Sequence, residues 1–115
     1  MLSATKDIEN LFSHGRAFFI HPIRALLCSS ITTTSQAAPK VLFAVPRKRI
    51  RGAVVRNTIR RRMRESYRLN WNILPVCESE RSIHIGFIYT SSNIYKYQDI
   101  QKSMIKILEL ISKHI

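Results

Sequence analysis

From Gly52 to Leu69 the chain runs without proline and, after its first position, without glycine. Set at 100° steps, its side chains divide into two flanks. Val55, Ile59 and Met63 form one stripe with Tyr67 at its edge, whereas Arg56, Asn57, Arg60, Arg61, Arg64 and Arg68 fall on the other side. The division predicts a helix of about four or five turns, packed along one flank and open along the other. Arg62 lands beside the apolar stripe, where its stem is expected to follow the core margin while the guanidinium reaches water. Arginines four residues apart on such a helix repel by some tenths of a kcal/mol per pair unless an anion lies against them. That self-repulsion points to a phosphate-rich ligand.

The charge is concentrated around this helix. Arg47, Lys48, Arg49, Arg51, Arg56, Arg60, Arg61, Arg62, Arg64 and Arg68 stand against a single acid, Glu65, whereas the whole chain carries 19 Lys and Arg and 7 Asp and Glu. A merely solvated helix face normally mixes signs, so the imbalance favours a polyanionic partner such as nucleic acid. Guanidinium forks grip phosphate oxygens at two points and stack on unpaired bases, which suits folded RNA. At 115 residues the chain has room for one core, which excludes a two-domain reading and predicts a single RNA-binding domain over residues 1–115. An apolar fraction of 45% with only 3 Gly and 4 Pro excludes a disordered or collagen-like chain. No apolar run approaches the roughly 20 residues that span a bilayer, so no membrane partner is expected and a cytoplasmic location is. Cys28 and Cys77 lack the spacing of zinc ligands or a redox pair and read as idle thiols.

The remaining segments supply a sheet and two further helices. Ile8, Leu11 and Phe12 predict a short helix over Thr5 to His14, with Asp7 and Glu9 in its first turn and Gly15 ending it. Arg16 to Ser29 reads as two strand pieces bent at Pro22, and Ile31 to Ala38 as a surface loop. Lys40 to Val45 and Ser82 to Tyr89 alternate as strands, with Val41, Phe43 and Val45 on one face and Ile83, Ile85, Phe87 and Tyr89 on another; Pro75 and Cys77 to Ser82 connect. Ile100, Met104, Ile107, Leu108 and Ile111 predict an amphipathic helix over Tyr97 to His114. The result is an α+β domain.

The stretch Arg51-Gly52-Ala53-Val54-Val55-Arg56-Asn57-Thr58-Ile59-Arg60-Arg61-Arg62-Met63-Arg64-Glu65-Ser66-Tyr67-Arg68 resembles the signature of the bacterial ribonuclease P protein subunit family, and Asp7 to Gly15 resembles that family's opening helix. The resemblance implies an α/β sandwich of order αβββαβα, with an open sheet of about four strands and a left-handed βαβ crossover. It implies that Arg56, Asn57, Arg60, Arg61 and Arg64 contact the catalytic RNA, with Arg68 a lesser candidate; the connector residues Arg47, Lys48, Arg49 and Arg51 join the RNA-binding candidates on their charge. It implies a cleft for the single-stranded 5′ leader of precursor tRNA near Phe12, Phe18 and Phe19. Core packing is the competing reading for these three, and leader contact is favoured for whichever of Phe18 and Phe19 points outward. The chain departs from the family pattern at Thr58, where an arginine is usual but a hydroxyl can still donate to phosphate, at Ile8, where an aromatic is frequent, and at Arg60, usually lysine.

Metal-assisted phosphodiester hydrolysis needs clustered carboxylates, and the seven acids here are scattered, as are the histidines at 14, 21, 84 and 114. The chain is therefore expected to carry no catalytic or metal-ligating residue of its own. By resemblance, Mg²⁺ is held mainly by the RNA subunit and substrate, and the partners are ribonuclease P RNA and precursor tRNA, with no obligate protein partner. Two other functions fit the charge: a ribosomal or assembly protein that holds rRNA without processing anything, and a DNA-binding helix module. The latter lacks a helix-turn-helix spacing.

Overall fold

The computed structural model describes residues 16–31, 40–74 and 81–114. Thr5 to His14 with Phe12, the loop after Ile31 and the connection around Cys77 lie outside them. The described chain runs β1 (Arg16–Ile20), β2 (Ile23–Ile31), β3 (Lys40–Ala44), α1 (Ala53–Asn70), a short 3-10 turn (Trp71–Ile73), β4 (Arg81–Tyr89) and α2 (Tyr97–Ser112). The 3-10 turn is absent from the sequence reading.

The four strands form one sheet in the order β1-β2-β4-β3. Pro22 makes the bend expected of it, with a cis His21-Pro22 bond, and the hairpin pairs Ile20 with Ile23 and Phe18 with Ala25. β2 runs antiparallel to β4, from Ile23 against Tyr89 to Ile31 against Arg81. β3 lies parallel to β4, Val41 opposite Ile85 and Phe43 opposite Phe87. A parallel pair cannot be closed by a tight turn, so the chain between them crosses over through α1. This places the basic helix beside the sheet edge.

Alternation then sorts the side chains. Phe18, Ile23, Ala25, Ile83, Ile85, Phe87 and Tyr89 face the helices and join Ile59, Met63 and Tyr67 of α1 and Ile100, Met104, Ile107, Leu108 and Ile111 of α2 in the main core. The opposite face carries a smaller cluster of Leu26 with Leu42 and Ile88. The Phe43, Tyr67 and Phe87 rings meet with centroids 5.5 to 5.8 Å apart, locking α1 onto the parallel pair. Such aromatic pairs contribute about 1 kcal/mol each beyond the area they bury.

Burial pushes the Tyr67 hydroxyl up to about 12 from an ordinary 10.0. The unfolded chain therefore loses this proton first, and the stability tied to the neutral phenol is complete below 10.0 and lost as pH rises towards 12. Tyr67→Phe keeps the ring and removes the proton. Thermal melts should show little change at neutral pH and a shallower alkaline decline than in the parent chain; identical alkaline slopes would place the hydroxyl in water.

Candidate nucleic-acid interface

β3 ends one residue early, leaving Val45 buried and Pro46 at the head of a turn in which its carbonyl accepts from the Arg49 and Ile50 amides, at 3.0 and 3.2 Å. Ile50 is buried and anchors the connector, so Arg47, Lys48, Arg49 and Arg51 project outward around it. Gly52 caps α1 in ordinary extended backbone, φ −74° and ψ 124°. A Cβ there would meet the Val55 side chain at 3.6 Å, so neither the backbone nor the space around it demands glycine. No side chain caps the first turn of α1, and no acid stands in it. Its free amides and positive dipole end add to the field of the connector.

Along α1 the burial follows the expected split. Ile59 and Met63 are fully buried, whereas Asn57, Arg61, Arg64 and Arg68 are exposed. Arg61 and Arg64 make no ion pair or hydrogen bond among the described residues. Arg60 donates to the Asn57 side-chain oxygen at 2.6 Å, holding two neighbouring RNA-contact candidates together. Arg68 pairs with Glu65, the one salt bridge among the described residues. The Arg68 guanidinium holds the Glu65 carboxyl below the usual carboxylate range, and Glu65 in turn raises Arg68. Paired with its own carboxylate, Arg68 is less available to an outside anion than Arg61 or Arg64.

Three side chains are used differently from the sequence reading. Arg56 turns back, donating to the carbonyls of Ile50 and Arg51 at 3.0 and 2.6 Å, so that it shapes the connector as well as charging it. Thr58 gives its hydroxyl to the Val54 carbonyl one helical turn back, 3.1 Å away. Arg62 does not reach water with its guanidinium alone; Nη1 donates to the Tyr95 carbonyl at 2.6 Å. A carbonyl thirty-three positions away gives no local signal, and the arginine pattern alone does not reveal these contacts.

The adjacent aromatics separate as strand neighbours must. Phe18 is 8% exposed and belongs to the main core, whereas Phe19 is 56% exposed on the opposite face. Of the two rings, only Phe19 offers an open face for stacking. Phe19 borders a notch of about 430 Å³ with Ala17, Phe18, Arg24, Arg49 and Thr90. One exposed ring and two exposed guanidiniums in one concavity match the two parts of a nucleotide, base and phosphate. Arg24 escaped the sequence reading because it lies outside the basic run; its register opposite Phe19 in the hairpin is what brings it here.

Among the described residues no three His, Cys, Asp or Glu side chains stand close enough to hold a metal ion, and no helix is long and apolar enough to cross a membrane.

A family model described as Ribonuclease P matches residues 1–112 of the chain. Ribonuclease P protein components from two strains of Porphyromonas gingivalis are each 32% identical to it, over 112 and 111 residues, covering 95% of this chain and 80% of each relative. The solved RNase P protein of Staphylococcus aureus superposes with a TM-score of 0.75 at 17% identity, covering 96% of this chain and 93% of that one. The RNase P protein from Thermotoga maritima does so at 0.74 and 18%, covering 95% and 94%. At those identities the superpositions speak for the shared fold. With the signature on α1, the open four-stranded sheet and a family match over nearly its whole length, the chain belongs to the family of ribonuclease P protein components, subunits of the ribonucleoprotein enzyme that processes tRNA.

Proposed function

We propose that the chain binds the catalytic RNA of ribonuclease P through the outward face of α1 and the connector before it, and holds the single-stranded 5′ leader of precursor tRNA against the sheet face that carries Phe19. The observation that carries this is the unspent charge: Arg61 and Arg64 are exposed, and the connector cations Arg47, Lys48, Arg49 and Arg51 project beside them without an acid partner among the described residues. Guanidiniums kept apart from their own carboxylates are available to phosphates. Phe19 with Arg24 and Arg49 supplies the second, smaller surface.

The protein would then contribute binding and charge screening while the reacting groups and the Mg²⁺ ions belong to the RNA and the substrate. Among the described residues the acid on the cationic helix, Glu65, is paired with Arg68, and Asp99 and Glu109 lie on α2. The decisive experiment combines the purified chain with a bacterial ribonuclease P RNA and measures 5′ processing of precursor tRNA at low Mg²⁺. A clear rise in rate is expected. RNA binding without any gain in processing would overturn this reading of the two surfaces.

A further inference from the structure

Arg62 stands apart from the outward arginines. It is half-buried on the core side of α1, and its guanidinium is tied to the Tyr95 carbonyl in the segment between β4 and α2. The Tyr95 hydroxyl lies 3.0 Å from Nε2 of His21, and the two rings meet edge to face at 5.5 Å. The His21 ring meets Phe19 edge-on at 6.2 Å. A line of contacts therefore runs from the basic helix around the end of the sheet to the exposed ring at the notch.

The backbone under this line is fixed by other bonds. The Thr90 amide and hydroxyl both donate to the Pro22 carbonyl, at 2.8 and 3.0 Å, and the Ser103 hydroxyl donates to the His21 carbonyl at 2.7 Å. With the turn pinned, Tyr95 sets the direction of the His21 ring; Tyr95 itself is held at its carbonyl by Arg62, at its amide by the Tyr89 hydroxyl 3.3 Å away, and by packing against the main core.

We propose that Arg62 is a positioning residue for single-stranded RNA: by holding Tyr95, it keeps His21 against Phe19 and so presents the Phe19 face, already ordered, to an unpaired base in the notch. The proposal rests on reading the notch as a leader contact. An exposed aromatic ring that must be ordered on binding costs conformational entropy, and one ordered beforehand does not. The chain of contacts is partly exposed, so its loss should cost about as much as one ordinary hydrogen bond, a factor of about three to ten in affinity.

The test uses holoenzyme reconstituted with the parent chain, Tyr95→Phe, Arg62→Met or Arg62→Lys. Binding is measured for a precursor tRNA with an extended single-stranded leader and for one trimmed to a single leader nucleotide. Tyr95→Phe and Arg62→Met should each weaken the extended-leader complex about three- to tenfold, leaving the trimmed substrate and the affinity for the catalytic RNA unchanged. Arg62→Lys, which can still donate to the carbonyl, should recover most of the loss. Equal losses on both substrates, or weaker binding of the catalytic RNA with a shallower salt dependence, would make Arg62 a phosphate contact and overturn the proposal. Should Arg62→Met fail to fold, Tyr95→Phe decides alone, since it removes only a hydroxyl; an unchanged leader preference in that variant refutes the idea. A parent holoenzyme indifferent to leader length removes the leader reading itself, and the proposal with it.

Discussion

Replacing Ile59 with Asp should leave most of the domain unfolded at room temperature. Ile59 is fully buried on the packed flank of α1, among the side chains that join the helix to the sheet and to α2. A carboxylate there has no cation among its core neighbours, and burying an unpaired charge costs several kcal/mol, a large fraction of the roughly 5 to 15 kcal/mol that holds a small domain together. The conservative change Ile59→Val removes one methylene and should cost only about 1 kcal/mol. Thermal and denaturant melts followed by circular dichroism separate the two. An unchanged melting temperature for Ile59→Asp would show that the packed and open flanks of α1 have been interchanged.

The second large effect falls on the other flank. Arg61→Ala combined with Arg64→Ala should leave the melting temperature almost untouched, because both side chains are exposed and neither holds anything within the described protein. Removing them even relieves like-charge repulsion along α1. Affinity for the catalytic RNA should fall by about a hundredfold at low salt, taking about 1.5 kcal/mol for each charge-assisted contact. The dependence of binding on salt should flatten at the same time, by somewhat less than one unit of slope for each phosphate released. Filter binding or fluorescence titration across a salt series measures both quantities. A drop in thermal stability would mean that the two arginines are structural, and a full-strength, equally salt-sensitive complex would move the RNA contact off α1.

Stability and binding can be separated in this way because the helix keeps them on opposite sides. The residues of α1 that pack, Ile59, Met63 and Tyr67, recur every fourth position, and the exposed cations Arg61, Arg64 and Arg68 recur at three and four. Both series were readable in the chain because helical periodicity is a local property. The same holds for the strands. Alternation in Ile83, Ile85, Phe87 and Tyr89 is visible without any partner strand, and Pro22 marks the turn of the hairpin by its inability to extend a ladder. Element limits moved by only a few residues: β2 runs on to Ile31, which the sequence assigns to the following loop, β3 stops at Ala44, and a 3-10 turn at Trp71–Ile73 follows α1.

The site divides along a different line. Positive charge and its confinement to one connector and one helix face are matters of composition and order, so the cationic surface could be placed before any fold was known. Its internal assignments could not. Arg56, Arg60, Arg61, Arg62, Arg64 and Arg68 are chemically identical, yet Arg56 is drawn to the Ile50 and Arg51 carbonyls, Arg62 to Tyr95, Arg68 to Glu65 and Arg60 to Asn57, while Arg61 and Arg64 remain available. Arg24 joins Phe19 and Arg49 only because a hairpin register and a parallel crossover bring three separate segments to one notch.

The sequence by itself determined the two described helices, the strands, the apolar faces and the sign and location of the charge, since each depends on residues a few positions apart. Only the tertiary structure decided which of Phe18 and Phe19 faces out, which guanidiniums are free and which are consumed by backbone carbonyls. Those outcomes depend on strand register and on contacts such as that between Arg62 and Tyr95, which exist only after distant segments have been packed together.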